Sequence, residues 1–277
     1  MPFFDDAVEK RKQLLASFAT LPIVTLSGVV GPTGPSGGKI PPENLWSLNV
    51  SLIAWRVANG PLRESSLTVS KEVSDDELRA LQGAVQSDSI ISFEAKLCEP
   101  SPFGDARAQL VRLLDAQTVQ RDPDFERILA KSTMPVEISD PILGRLILNR
   151  SLGWFEGQVM WLGKTINVAL SADGEIDKQT AIGAAKVLLD SMLEWSQQIN
   201  NLTVFELLKL KNECWLDEDE QEISSTEFLN RMQLTAMTVY PDGSFEFWHD
   251  DGELFWGHSI LVSGSLAKGV TDASIAG

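Results

Sequence analysis

The sequence predicts an α+β protein of two domains. Three observations carry that prediction: the chain length, an uneven charge distribution, and apolar periodicity that switches between strand and helix intervals. A chain of 277 residues is too long for one small domain and suits two of ordinary size. With 43% hydrophobic and 22% charged residues it can bury a real core, which excludes wholesale disorder, a collagen-like rod and a coiled coil. Cut at residue 134, the chain gives a first half with 14 basic and 17 acidic residues and a second with 9 and 22. The expected domains are 1–134, of mixed strands and helices, and 135–277, an antiparallel sheet with helices packed on one face.

In the first half, MPFFDDAVEKRKQLLASF reads as a short amphipathic helix. Acids precede its bases and it has no long apolar run, so it fails as a signal peptide. GVVGPTGPSGGKIPP (28–42) is rich in Gly and Pro and reads as an exposed flexible loop. LWSLNVSLIAWRV (45–57), LTVSKEV (67–73) and SIISFEAKL (89–97) are β-branched and aromatic runs that predict strands. Between the last two, Ser74 and Glu77 have the spacing of a capping box, with Leu78, Leu81 and Val85 at helical intervals behind them. Further helices are expected over 105–114 and 124–131, with the domain junction over 131–139.

In the second half, GRLILNR (144–150) predicts a strand. GWFEGQVMWLGKTINVAL (153–170) predicts a hairpin turning at Gly163-Lys164, with Trp161 opposite Ile166 and Val159 opposite Val168. Ile182, Ala185, Leu188, Leu189, Met192, Trp195 and Ile199 form the apolar stripe of one helix; Val204, Leu207, Leu208, Leu210, Cys214 and Trp215 form that of a second. Ser224 and Glu227 repeat the capping box ahead of a short helix to about Met232. A meander of three or four strands follows. TAMTVY (235–240) turns at Pro241-Asp242-Gly243 into SFEFWH, setting Val239 opposite Phe245 and Met237 opposite Phe247. Asp251-Gly252 then predicts a tight hairpin, with Phe247 facing Trp256, Phe245 facing His258, His249 facing Leu254 and Trp248 facing Phe255. The two turns agree on one apolar face, and that agreement is the strongest indication of the fold.

The net charge of −16 repels phosphate, so neither nucleic acid nor an anionic membrane is an expected partner. Cys98 and Cys214 read as two reduced, buried thiols, and no stretch approaches a membrane span. The expected location is the cytoplasm.

DGSFEFWHDDGELFWGHSILVSG (242–264) places an acidic turn at Asp250-Asp251, then Leu254, Phe255, Trp256, Gly257 and His258, before an apolar strand. Upstream stand DPILGRLILNR (140–150), Trp215 and the Glu227-Phe228 pair. In these features residues 135–277 resemble an uncharacterised bacterial family, domain of unknown function 2262. The resemblance implies a bacterial protein and brings no catalytic role for any residue.

His249 and His258 are the two histidines of the chain. They stand beside Asp250, Asp251 and Glu253, as a metal site or a proton-transfer pair requires. The expected register staggers the two rings along an apolar face, however, and Glu246 points to the other face. Structural rings hydrogen-bonded at the sheet's end are therefore the expectation, with no metal or other cofactor. Asp217-Glu218-Asp219-Glu220 with Glu222 lacks the alternate spacing and the glycine of a calcium loop, and reads as a solvated acidic loop able to steer a basic partner. No CxxC or HExxH motif occurs, and the glycines at 34, 37 and 38 fall in a Pro-rich stretch without a strand-to-helix turn. Trp161, Trp195 and Trp256 are expected in the core. Trp248 and Phe255, sharing a face with Glu246, are expected as an exposed binding patch.

Two functions follow. The first is a non-enzymatic cytoplasmic binding protein, such as an acidic, immunity-type inhibitor of a basic toxin or nuclease. The second is a metal-dependent enzyme using His249, His258 and the carboxylates of Asp250 or Asp251.

Overall fold

In a computed structural model, the residues described are 2–39, 44–114, 122–171 and 174–277. They form six helices and thirteen strands in two sheets, and the chain divides into two compact units, Met1–Met134 and Pro135–Gly277. No helix among the described residues is long and apolar enough to cross a membrane.

The first unit runs α1 (Pro2–Thr20), β1 (Ile23–Gly38), β2 (Trp46–Val57), β3 (Leu67–Val73), α2 (Asp75–Ala84), β4 (Ile90–Cys98), β5 (Ala106–Leu113) and α3 (Pro123–Thr133). Its strands close into a barrel in the order β1-β2-β3-β5-β4, with β3 and β5 parallel. Alternation along the strands sorts the side chains: Leu48, Val50, Leu67, Val69 and Phe93 fill the interior. Ser74 caps α2 by accepting the Glu77 backbone N–H at 3.3 Å.

The structure corrects two elements here. The Gly/Pro-rich stretch expected as a loop belongs to β1 as far as Gly38, while 40–42 lie outside the described residues. Its pairing with β2 jumps between Val30 and Pro35, so the intervening residues bulge from an otherwise continuous strand. Gly28 permits close approach of the strands, since a Cβ there would lie 2.6 Å from the Ala54 carbonyl oxygen. The helix expected over 105–114 is strand β5. Ala106, Ala108 and Leu110 are buried and the residues between them are not, which is a period of two.

The second unit runs β6 (Glu137–Asp140), β7 (Gly144–Asn149), β8 (Trp154–Trp161), β9 (Lys164–Ser171), α4 (Glu175–Asp190), α5 (Met192–Cys214), α6 (Ser225–Arg231), β10 (Gln233–Val239), β11 (Ser244–Asp250), β12 (Ser259–Ser265) and β13 (Gly269–Ala276). The strands form one sheet in the order β13-β12-β11-β10-β9-β8-β7-β6. It is mixed, where a purely antiparallel sheet was expected. β9 and β10 run parallel, because the chain returns through the three helices between them. Those helices lie on one face, where Leu188, Trp195, Ile199 and Leu207 meet Val168, Phe245, Phe247 and Val262. Trp195 meets Phe245 edge-on at 5.1 Å, and Trp161 meets Phe247 at 5.0 Å.

The first meander turn has the expected register, with Val239 opposite Phe245 and Met237 opposite Phe247. The β8–β9 hairpin is two residues out: Trp161 pairs with Lys164 and Val159 with Ile166. Its turn residues are Leu162 and Gly163, at φ +47° and +84°, the left-handed pair that a two-residue turn of this hand demands. A slip of two leaves every side chain on its face, so the apolar surface survives the error. The helical segment breaks at Ser191, inside the first predicted stripe, and α5 joins the last part of that stripe to the second. Cys214 is exposed, contrary to expectation, while Cys98 is buried; both thiols are free.

Candidate functional site

The connection from β11 to β12 is not a two-residue turn. Phe247 faces Val262, Phe245 faces Gly264, Trp248 faces Leu261 and His249 faces Ile260. The residues expected opposite them, Leu254, Phe255, Trp256 and His258, all lie in a loop over 251–258. The cause is Asp251, 3% exposed, whose carboxylate accepts the backbone N–H groups of Glu253 at 3.2 Å, Phe255 at 2.6 Å and Gly257 at 3.2 Å. A side chain that satisfies three backbone donors replaces the ladder a tight hairpin would have used. Gly252, Glu253, Trp256 and Gly257 all take positive φ. At Gly252 only glycine fits, because a Cβ would lie 2.5 Å from the Arg231 carbonyl oxygen.

The loop sends its aromatics in opposite directions. Phe255 turns fully into the core, edge-on to Trp215 at 5.6 Å and to Phe228 at 6.2 Å. Trp256 turns outward, 58% exposed, with its ring 4.7 Å from that of Trp215. Trp215 also meets the His258 ring at 5.7 Å.

A polar network holds this arrangement from below. Lys211, with no exposed side-chain surface, donates to the Trp215 carbonyl at 2.7 Å and to the Glu220 carboxylate. Arg231 donates from Nη1 to Glu220 at 3.0 Å and from Nε to the Gly252 carbonyl at 2.9 Å. The Lys211 hydrogen bond, aided by Arg231, holds Glu220 below the usual carboxylate range despite the opposing effect of burial. Asn212 donates to the Ile223 carbonyl at 3.1 Å and accepts the Ile223 N–H at 3.0 Å, pinning the end of the acidic segment. The expected solvated loop is therefore solvated only in part: Asp217, Glu218 and Asp219 are exposed, whereas Glu220 is a structural anion.

The two histidines are not brought together. His249 is 4% exposed on the core side of β11, where burial pushes it down to about 4; His258 lies at the end of the loop against Trp215. Asp250 is exposed and accepts the Gly252 N–H at 2.9 Å. No group of three or more His, Cys, Asp or Glu among the described residues is placed to hold a metal ion. The expected patch of Trp248, Phe255 and Glu246 does not form. Phe255 is buried against the helices, while Trp248, half-buried on the other face of the sheet, donates to Glu246 at 3.3 Å. Trp256, expected in the core, is the exposed aromatic instead.

Residues 140–275 match the family described as an uncharacterized protein conserved in bacteria (DUF2262), in agreement with the resemblance read from the loop and its surroundings. Residues 10–132 match a second family, a domain of unknown function (DUF7021). No curated protein matches. Among solved structures, the wild-type single-stranded DNA binding protein from Thermus aquaticus is similar over 53% of this chain and 72% of its own, at 14% identity and a TM-score of 0.23.

Proposed function

We propose that the chain, whose C-terminal unit carries the DUF2262 domain, is a non-enzymatic binding protein that docks a basic partner protein on the Trp256 loop. The observation that carries this is Trp256 itself, an indole 58% exposed on a backbone at φ +56°. Such a conformation is costly for an aromatic residue and persists only where its surroundings over-determine it. Here they do so through Asp251, Trp215 and the Arg231 contact to Gly252. A rigid, exposed tryptophan is a common centre of binding energy. The sign of the partner follows from the charge around it. Asp217, Glu218 and Asp219 follow Trp215 in sequence, Glu253 precedes Trp256, and all four are exposed. Such a field accelerates association with a basic surface and weakens as salt rises. Inhibition of a basic toxin or nuclease is the nearest analogy.

The test compares wild type with Trp256→Gly as tagged baits in bacterial lysate at low and high salt, followed by titration of the purified pair. A basic protein held by wild type, released by salt and lost by the variant supports the reading. Equal retention by both baits, or a partner without basic character, overturns it.

The barrel of the first unit supports a second reading. The outward residues Ser47, Asn49, Ser70 and Gln109 line a groove of about 410 Å³ between α1 and strands β2, β3 and β5. The strand order is that of oligonucleotide- and oligosaccharide-binding barrels, an analogy of fold alone. Its cations are already neutralised, Arg11 by Glu72, Lys71 by Glu77 and Arg107 by Asp105, which favours an uncharged polar ligand over a polyanion. Titration with neutral oligosaccharides and with single-stranded DNA tests it; tighter binding of the DNA reverses the preference.

A further inference from the structure

A cavity of about 220 Å³ lies in the second unit, where Trp161 and Lys164 of the β8–β9 hairpin, Ser196 and Asn200 of α5, Met232 and His249 come together. None of its lining residues is acidic, in a unit that holds 22 Asp and Glu. Its polar groups include one cation, Lys164, and neutral groups able to donate. Lys164 is exposed, with no ion-pair partner among the described residues. The Ser196 hydroxyl accepts the Trp161 Nε1–H at 2.9 Å, which leaves its own hydrogen free to donate. Asn200 adds an amide. His249 is 4% exposed, and its buried Nδ1 has no hydrogen-bond partner among the described residues. The remaining walls are apolar, from Ile166, Ile199, Leu229 and Leu234.

We propose that this cavity binds a small monocarboxylate with an apolar body, its carboxylate held by Lys164, Ser196 and Asn200. Charge decides the head group, because an ammonium and neutral donors without a carboxylate in the wall select an anion. The apolar walls decide the tail, since an inorganic anion would leave them unfilled. The volume decides the size, falling below the roughly 300 Å³ at which pockets for drug-sized ligands begin. Burial keeps the His249 ring neutral at physiological pH, so it adds no second charge to the wall.

The experiment titrates butyrate and benzoate into the full chain, following the ¹⁵N resonances of the His249 ring. Saturable binding that moves these resonances is expected, weakened about tenfold in Lys164→Met through loss of one charge-assisted contact. Met232→Trp, which fills the cavity, should abolish it. Circular dichroism shows whether that variant folds, and if it does not, Lys164→Met decides alone. Sulfate binding as tightly as butyrate would overturn the ligand class. No saturable shift with either acid, affinity unchanged in Lys164→Met, or a crystal structure grown in butyrate with only water beside Lys164 and Ser196, would overturn the site.

Discussion

Phe255 donates its backbone N–H to the buried carboxylate of Asp251 at 2.6 Å, and this contact separates the loop that forms from the hairpin that its Asp-Gly pair suggests. Asp251→Ala leaves three backbone donors without their acceptor and should cost about 3 kcal/mol. Asp251→Asn keeps one acceptor oxygen and should cost less. Urea unfolding measures both; an Asp251→Ala protein as stable as wild type would show that the carboxylate does not organise the loop.

Trp256→Gly separates binding from stability. Glycine adopts φ +56° without strain, so the substitution removes the indole and leaves the loop backbone in place. Stability should stay within about 1 kcal/mol of wild type, because the side chain is mostly exposed. Affinity for a basic partner should fall by about 2 kcal/mol or more, as at other central tryptophans. Calorimetry of unfolding and of binding reads the two quantities separately, and a variant that melts much lower while binding normally would invert the assignment.

The legible parts of this fold are those where one local rule acts alone. Ser74 and Ser224 cap their helices because a short hydroxyl meets the N–H three residues on, at 3.3 and 3.2 Å. The turn at Asp242-Gly243 fixes the register of β10 and β11 for the same reason. Reading failed where a second interaction outbid the local one. Asp251-Gly252 suits a tight turn, but the Asp251 carboxylate had three donors within reach further along the chain. Leu162 took the left-handed position that glycine usually holds, which displaced the hairpin register. The burial of Lys211 is legible in the spacing: Trp195, Ile199, Thr203, Leu207 and Lys211 are buried at intervals of four, which puts the lysine in the core stripe. Arg231 left no comparable signal, because its partners Glu220 and Gly252 are distant in sequence.

His249 should make stability depend on pH. Burial holds the folded ring at about 4, below the 6.5 of a free imidazole. Between those values the unfolded chain binds a proton that the native state does not. Stability is therefore complete above the unfolded value and is lost as pH falls toward the folded one. From neutrality down to about pH 5 the loss should be about 2 kcal/mol greater in wild type than in His249→Leu. Denaturant midpoints at the two pH values measure the difference, and parallel slopes would mean that the imidazole titrates as if exposed.

The Lys211–Glu220 pair should respond asymmetrically to truncation. Lys211→Met removes the ammonium together with the cost of burying it, and Glu220 keeps Arg231 as its partner. That variant should fall within about 1 kcal/mol of wild type. Glu220→Ala leaves a fully buried ammonium with only the Trp215 carbonyl and should cost about 3 kcal/mol or more. The double variant should recover most of that loss, which a double-mutant cycle measures directly. Binding sharpens the distinction. Arg231 passes the position of Glu220 to the Gly252 carbonyl, so Glu220→Ala should also weaken partner binding at Trp256, whereas Lys211→Met should not. Equal effects of the two single variants would mean that the ammonium is hydrated in solution and that the network does not position the loop.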